Sequence, residues 1–150
     1  MQRDLNACAP KFADAVREML TSLEGGRKEY PFETLRTEAR QAFLYGFGRE
    51  YDDGRGKVTG AETALLSWHG FGLAVDIVEK DNTPWDAPAG FWESIGISAE
   101  ARGLVWGGRW KKPDRPHVQW GRCPVTPTEV DRQLFRQIGI EAVWVKYGAV

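Results

Sequence analysis

Two histidines and one aspartate are the residues best suited to bind a metal ion. The chain contains two histidines in all, His69 and His117, and Asp76 follows the first of them by seven positions. That interval is too long for ligands on adjacent turns of one helix, so we expect His69 in a loop, Asp76 in the next strand and His117 on a separate strand. Two neutral imidazoles and one carboxylate are a common ligand set for catalytic zinc, and they leave a fourth position for water.

The same three residues also have a purely structural interpretation. A histidine between glycine and tryptophan is commonly a packed, hydrogen-bonded side chain, and Asp76 could be a buried acid with no metal beside it. An ionised carboxylate in an apolar strand is costly, however, unless a cation or a metal compensates its charge. Lys80 is the one lysine or arginine within five residues of Asp76. This shortage of partners favours the metal site.

Asp114 and Arg36 are candidate catalytic residues. Asp114 lies three positions before His117, so it could reach a water molecule beside a metal held there and act as general base and acid. Arg36 directly precedes a predicted helix start at Thr37, where its guanidinium could stabilise a developing oxyanion. On local sequence alone, a solvated loop acid paired with a basic neighbour is the better interpretation of Asp114, and a surface arginine is the default interpretation of Arg36.

Tryptophans are concentrated around these residues. Six of the seven lie between positions 68 and 120, and most of them are expected to pack in the core. Trp68, Trp110 and Trp120 flank the proposed ligands and could form the wall of a substrate groove.

Length and composition limit the function classes. A chain of 150 residues with 42% hydrophobic and 27% charged residues fits one globular domain over 1–150. The formal net charge of -1 argues against a nucleic-acid-binding protein, and no apolar stretch is long enough to cross a bilayer. The first residues have no apolar signal core, which predicts synthesis in the cytoplasm. Two cysteines, Cys8 and Cys123, are too few for a disulfide framework, although one bridge between them stays open.

The hydrophobic pattern predicts an alternation of helices and short strands. In the first half it indicates a helix over 11–23 stopped by Gly25 and Gly26, a strand over 30–35, a helix from Thr37 to about Tyr45, and an exposed loop over 49–62. Further on we expect a strand over 71–78 and a helix that Ser98 caps and that the glycines at 107–108 end. A capping box over 126–129 would open a last helix, and a closing strand would follow over 140–147. This order predicts an α+β fold with a small, mostly antiparallel sheet.

The motifs around the candidate ligands resemble a known family. Ser67-x-His69-x6-Asp76, in the setting Ser-Trp-His-Gly-Phe-Gly-Leu-Ala-Val-Asp-Ile, is similar to the zinc peptidases of the M15 group, the D-Ala-D-Ala carboxypeptidases and L-alanyl-D-glutamate endopeptidases. The block Gly-Leu-Val-Trp-Gly-Gly-Arg-Trp at 103–110, followed by Asp114-x-Pro-His117, is closer to the endolysin-like branch. Upstream, Arg36-Thr37-x3-Gln41 also fits the family, and the resemblance covers most of residues 3–120.

The resemblance implies a site and an activity. It implies Zn²⁺ held by His69, Asp76 and His117, with Asp114 as the catalytic acid and base. It also implies Arg36 near the substrate carbonyl or carboxylate, and supporting roles in substrate binding for Ser67 and Gln41. Trp68 is a further substrate-binding candidate because it flanks the proposed ligands. The fold implied is the compact α+β fold shared by the DD-peptidases and the Hedgehog signalling domain.

The activity implied is hydrolysis of the stem peptide of bacterial peptidoglycan, at the L-Ala-D-Glu bond. Two alternatives stay open: a D-Ala-D-Ala carboxypeptidase, and a non-catalytic, zinc-stabilised domain that binds the cell wall. We expect a monomer that neither binds nucleic acid nor inserts into a membrane. With no signal sequence, we expect a phage lysin that a holin would release to the cell wall, and a bacterial cytoplasmic or prophage origin fits equally.

Overall fold

The computed structural model describes residues 1–23, 29–80 and 85–150. The helices are α1 (Pro10–Leu23), α2 (Glu38–Gly46), α3 (Ala89–Glu100), α4 (Glu129–Gln137) and α5 (Ile140–Lys146), and the strands are β1 (Glu29–Glu33), β2 (Ala74–Glu79), β3 (Val105–Trp106) and β4 (His117–Gln119). These elements confirm the predicted α+β fold. The expected glycine stop at Gly25 and Gly26 lies outside the described residues.

The four strands form one sheet in the order β1-β2-β4-β3, and every neighbouring pair is antiparallel. Asp76 lies in the middle of a row across this sheet, with Glu33 of β1 opposite it on one side and His117 of β4 opposite it on the other. An irregularity between Pro31 and Glu33 shifts the register of β1, which brings Glu33 rather than its neighbour beside Asp76. The sheet thus aligns three polar side chains on neighbouring strands.

The core lies between the sheet and the helices. Phe12, Val16 and Met19 of α1 are fully buried, as their spacing of three and four residues predicts. Each such side chain contributes about 1.5–3 kcal/mol by burial. On β2, Val75 and Ile77 are also fully buried. One face of the central strand that carries Asp76 is therefore packed into the core.

A 3-10 turn, Trp68–Phe71, leads from a polar segment into β2. The Ser67 hydroxyl caps it by accepting a hydrogen bond from the His69 backbone N–H, and Gly72 ends it with φ +62°. The predicted strand over 71–78 is therefore shorter and begins three residues later, at Ala74. This turn fixes His69 immediately before the central strand.

The closing strand predicted over 140–147 is wrong, because this segment forms helix α5. Its valines suggested a strand, yet Val143, Trp144 and Tyr147 follow a helical spacing of three and four residues. Val143 is fully buried, and the Trp144 indole donates a hydrogen bond to the Phe71 carbonyl over 2.7 Å. Tertiary packing of one apolar helix face outweighs the strand preference of the β-branched residues.

The helix expected after Ser98 is also misplaced. Helix α3 begins nine residues earlier, at Ala89, and ends at Glu100. Ser98 lies inside it, where its hydroxyl is within 2.7 Å of the Ser22 hydroxyl of α1. A serine that looks like a cap in the sequence is thus a buried contact between two helices.

The capping box before α4 lies two residues later than predicted. Thr128, rather than Thr126, is the N-cap, and its partner is Asp131. Asp131 is fully buried and also accepts hydrogen bonds from Lys146 and the Tyr147 hydroxyl. These contacts join the two C-terminal helices.

Among the described residues, no helix combines the length and the apolar character that crossing a bilayer requires.

Candidate active site

His69, Asp76 and His117 come together at one end of the sheet. One potential ligand atom from each lies within 4.8 Å of the others. Asp76 Oδ1 is 3.3 Å from His69 Nε2 and 3.8 Å from His117 Nδ1. Both histidines are buried, whereas Asp76 keeps 15% of its side chain exposed. Residues 48 positions apart in the sequence therefore form one compact group.

Each histidine has a hydrogen-bond acceptor on the ring nitrogen that faces away from Asp76. His69 Nδ1 lies 3.0 Å from the Thr34 carbonyl oxygen, and His117 Nε2 lies 3.0 Å from Gln119 Oε1. A backbone carbonyl oxygen and a side-chain amide oxygen can only accept a hydrogen bond. His69 Nδ1 and His117 Nε2 therefore carry the ring proton and donate it. The opposite nitrogen of each ring is left with its lone pair directed toward Asp76, as metal ligation requires.

The electrostatics of the group agree with this arrangement. Burial, followed by repulsion from His69, lowers the pKa of His117 to about 4, so its imidazole is neutral near pH 7. Burial raises the pKa of Asp76, but the attraction of the neighbouring histidines and Arg36 outweighs it and holds this pKa well below its usual range. A neutral imidazole and an ionised carboxylate are the ligand forms that zinc binds, so these residues fit that ion.

Arg36 lies beside this group and is itself held by a buried acid. Its Nη2 atom is 3.6 Å from Asp76 Oδ2 and 2.6 Å from Glu33 Oε2. The Glu33 carboxylate is 2% exposed and also accepts a hydrogen bond from Arg40 over 2.8 Å. Sequence reasoning missed Glu33, although an acid three residues before a candidate catalytic arginine is a detectable signal. Its charge offsets that of Arg36.

Gln41 is completely buried in this structure and does not line the groove described below. Its side-chain oxygen accepts a hydrogen bond from Arg36 Nη1 over 3.1 Å. Its amide group donates to the Ala61 carbonyl and, over 3.4 Å, to the Thr59 hydroxyl. Gln41 therefore connects Arg36 to the loop after α2, instead of presenting its amide to a bound molecule.

Asp114 belongs to the turn that leads into β4. Its backbone N–H donates to the Gly107 carbonyl over 3.0 Å, and its own carbonyl accepts from the His117 N–H over 3.2 Å. The residue as a whole is exposed, yet protein atoms crowd its carboxyl group. This desolvation, followed by repulsion from Asp76, raises the pKa of Asp114 to about 6.

A groove of about 460 Å³ opens over these residues. Arg36, Ser67, Trp68 and Asp114 line it together with His69, Asp76 and His117, and Trp110 contributes a wall whose ring lies 5.0 Å from that of His117. Trp120 does not line the groove; it packs against Phe12 and donates its indole hydrogen to the Tyr147 carbonyl.

The groove has two walls that the sequence did not predict. Residues 58–61 line one side, so the loop expected to be merely exposed returns to the site. Trp85, which is half exposed, lines another side and packs edge-on against Phe32 at 4.9 Å. Neither segment has a regular pattern, so only the folded chain brings them to the groove.

Comparison with known proteins gives a match to a family model and matches to solved structures. The family model Peptidase_M15_4, described as D-alanyl-D-alanine carboxypeptidase, matches residues 60–120, a stretch that holds the His-Asp-His group and Asp114. The crystal structure of the Serratia marcescens L-Ala D-Glu endopeptidase ChiX is similar at a TM-score of 0.56 and 25% identity, covering 77% of this chain and 82% of that one. No curated protein matches the chain significantly.

The family match and this structural match agree with each other and with the site. The sequence match covers the strands and turns that carry the candidate ligands, and the structural match covers most of the fold around them. Together they support a relationship of this chain to the M15 family of peptidases.

Proposed function

We propose that the protein is a zinc-dependent peptidase that cleaves the stem peptide of bacterial peptidoglycan at the L-Ala-D-Glu bond. The observation that carries the proposal is the convergence of two histidine lone pairs and the Asp76 carboxylate at the floor of an open groove that Asp114 also lines. His69, Asp76 and His117 would hold the ion. The chemistry that zinc supplies in such a site is Lewis acidity toward a carbonyl oxygen and toward water.

Asp114 is the proposed general base and general acid. It lines the groove, and the turn that carries it is hydrogen-bonded at both ends, to Gly107 and to His117. A carboxylate held in this way can take a proton from the attacking water and deliver it to the amine that leaves. The Asp114 side chain would therefore carry the proton from the attacking water to the nitrogen of the scissile bond.

Arg36 is the proposed electrostatic stabiliser. Glu33 and Gln41 hold its guanidinium from behind, so its direction is set before a substrate binds. Preorganised charge of this kind acts on the oxygen that becomes negative as water adds to the peptide carbonyl. Ser67 and Trp68 line the same groove and are proposed to contact the peptide.

The charges of the groove favour an endopeptidase over a carboxypeptidase. A carboxypeptidase needs a cation for the terminal carboxylate of its substrate. Among the described residues that line the groove, Arg36 is the one cationic side chain, and Glu33 already pairs with it. The solved relative named as an L-Ala D-Glu endopeptidase supports the same bond, whereas the matching family model is described by the carboxypeptidase activity.

Digestion of purified peptidoglycan tests the proposal. Mass spectrometry should detect new L-Ala carboxyl and D-Glu amino termini that disappear with a zinc chelator and return with added zinc. Release of free D-Ala would instead establish the carboxypeptidase alternative. A folded, zinc-loaded protein that binds the wall and releases no peptide would be the non-catalytic binding domain.

Two substitutions test the proposed roles of Asp114 and His117. Asp114→Asn should keep stoichiometric zinc and lose about 10²–10⁴-fold in activity, because it removes proton transfer but no ligand. His117→Ala should lose the zinc itself. Full activity in the first variant, or stoichiometric tight-binding zinc in the second, would contradict the corresponding role.

A further inference from the structure

We propose that Gln119 is a positioning residue that holds His117 in the tautomer and orientation needed for metal binding. The inference rests on the metal site proposed above. Gln119 is 1% exposed, and its Oε1 atom lies 3.0 Å from His117 Nε2. It does not line the groove, so it acts on a bound metal only through His117.

The strand makes this contact possible. Residues 117 and 119 both belong to β4, and side chains two positions apart in a strand point to the same face. The hydrogen bond therefore runs along the strand. Strand β2 pairs with both residues, and β3 pairs with Gln119. The imidazole has little freedom to rotate while this bond is present.

A backbone carbonyl determines which way the Gln119 amide faces. Its Nε2 atom donates to the Pro124 carbonyl over 3.1 Å, and Trp68 Nε1 donates to the same oxygen over 2.8 Å. Because a carbonyl oxygen only accepts, the amide must present its NH₂ group to Pro124 and its oxygen to His117. His117 Nε2 must then carry the proton, which leaves the Nδ1 lone pair directed toward Asp76.

His69, the other proposed histidine ligand, is positioned differently. The acceptor for His69 Nδ1 is the Thr34 backbone carbonyl, which no side-chain substitution removes. Of these two acceptors, Gln119 is therefore the one accessible to mutation. Loss of such an outer partner typically weakens metal binding about 10- to 100-fold.

Two substitutions separate the contact with His117 from the contact with Pro124. Gln119→Leu removes both at similar volume. Gln119→Glu keeps an acceptor for His117 but turns a carboxylate oxygen toward the Pro124 carbonyl, where two acceptors repel. Ile95→Ala, which opens a cavity in α3 away from the groove, is the control for a general loss of stability.

The measurements are the zinc dissociation constant, by competition with a chromophoric chelator, and the ¹⁵N shifts of His117 in the metal-free protein. Gln119→Leu should bind zinc about 10- to 100-fold more weakly and show a mixture of His117 tautomers. Gln119→Glu should bind zinc within threefold of the wild type, keep the Nε2–H tautomer, and unfold at a lower temperature. Ile95→Ala should lose stability and keep the wild-type zinc affinity.

Several results would overturn the inference. If Gln119→Leu and Ile95→Ala bind zinc with the same affinity, Gln119 has a merely structural role. The same conclusion would follow if His117 of the wild-type protein were protonated on Nδ1. If Gln119→Leu does not fold, Gln119→Glu and the wild-type tautomer still decide: weak zinc binding in a folded Gln119→Glu, or the wrong tautomer, refutes the role. A wild-type protein that binds no zinc refutes the proposed metal site instead, while the tautomer still reports on Gln119.

Discussion

Gly107 lies where the structure leaves no room for a side chain. A Cβ atom at this position would be 2.5 Å from the Asp114 carbonyl oxygen and 3.1 Å from the His117 Cβ. Side-chain Cβ atoms essentially never approach another atom within 3.0 Å, and the obstructing oxygen belongs to the backbone. Gly107→Ala must therefore displace the turn over 114–117 by at least about half an ångström.

This displacement should lower the catalytic rate more than it lowers the free energy of unfolding. A misplacement of about 1 Å at a catalytic group can cost about 10²-fold in rate, so half of that predicts a loss of about tenfold or more. A tenfold loss corresponds to about 1.4 kcal/mol in the activation barrier. Because the turn also carries His117, zinc affinity should fall in the same variant.

Gly103→Ala provides the matched control. Gly103 has φ +68°, and a Cβ atom added there would have no neighbouring atom within 4 Å, so alanine is strained by about 1 kcal/mol but displaces nothing. The expected result is a melting temperature about 2–4 °C lower with unchanged kcat/KM on peptidoglycan fragments. Equal activity of the two glycine variants, with the amide resonance of Asp114 unshifted in Gly107→Ala, would refute the reasoning.

Three further predictions concern stability. Zinc at a hundredfold its dissociation constant should stabilise the protein by about 2.7 kcal/mol, which raises the melting temperature by about 5–10 °C; His117→Ala should show no such rise in calorimetry. Burial raises the pKa of Cys8 and Cys123 to about 12, so stability should be unaffected by these thiols below pH 9 and fall as the pH rises from 9 to 12. Slow reaction of both thiols with DTNB at pH 8 would agree, and immediate reaction in the native state would contradict it. Burial raises the pKa of Asp131, but hydrogen bonds from Lys146 and neighbouring groups outweigh this and lower it. Asp131→Asn should therefore cost about 1.5–3 kcal/mol near pH 7, and the difference from the wild type should shrink in urea titrations as the pH falls below about 4.

The parts of the molecule that follow local rules could be predicted from the sequence. Helix α1 has a complete apolar face and a proline in its first turn, and α2 has Thr37 as an N-cap that accepts a hydrogen bond from Arg40 N over 3.2 Å. His69, Asp76 and His117 could be grouped because the chain has two histidines in all, and because the motifs around them resemble those of the family.

The remaining parts depend on contacts between distant segments. Helix α5 and the buried hydroxyl of Ser98 contradict local preference, because the side chains that decide them belong to other elements. The partners of the site were missed for the same reason: Glu33 reaches it through an irregularity in β1, and Gln119 through its contact with Pro124. Local spacing carries part of the signal, since Glu33 lies three residues before Arg36 and Gln119 two residues after His117. The register shift and the Pro124 contact, however, appear only in the folded chain.

The direct pairing of Asp76 with His117 also has a consequence for refolding. If β4 slipped by one residue against β2, Pro116 or Val118 would face Asp76, and the imidazole would point to the opposite face of the sheet. A slipped chain would then have two ligands at most, so it would gain little from zinc. The ion would stabilise the native alignment selectively, and zinc present during refolding should raise the yield of native protein at the expense of misaligned forms.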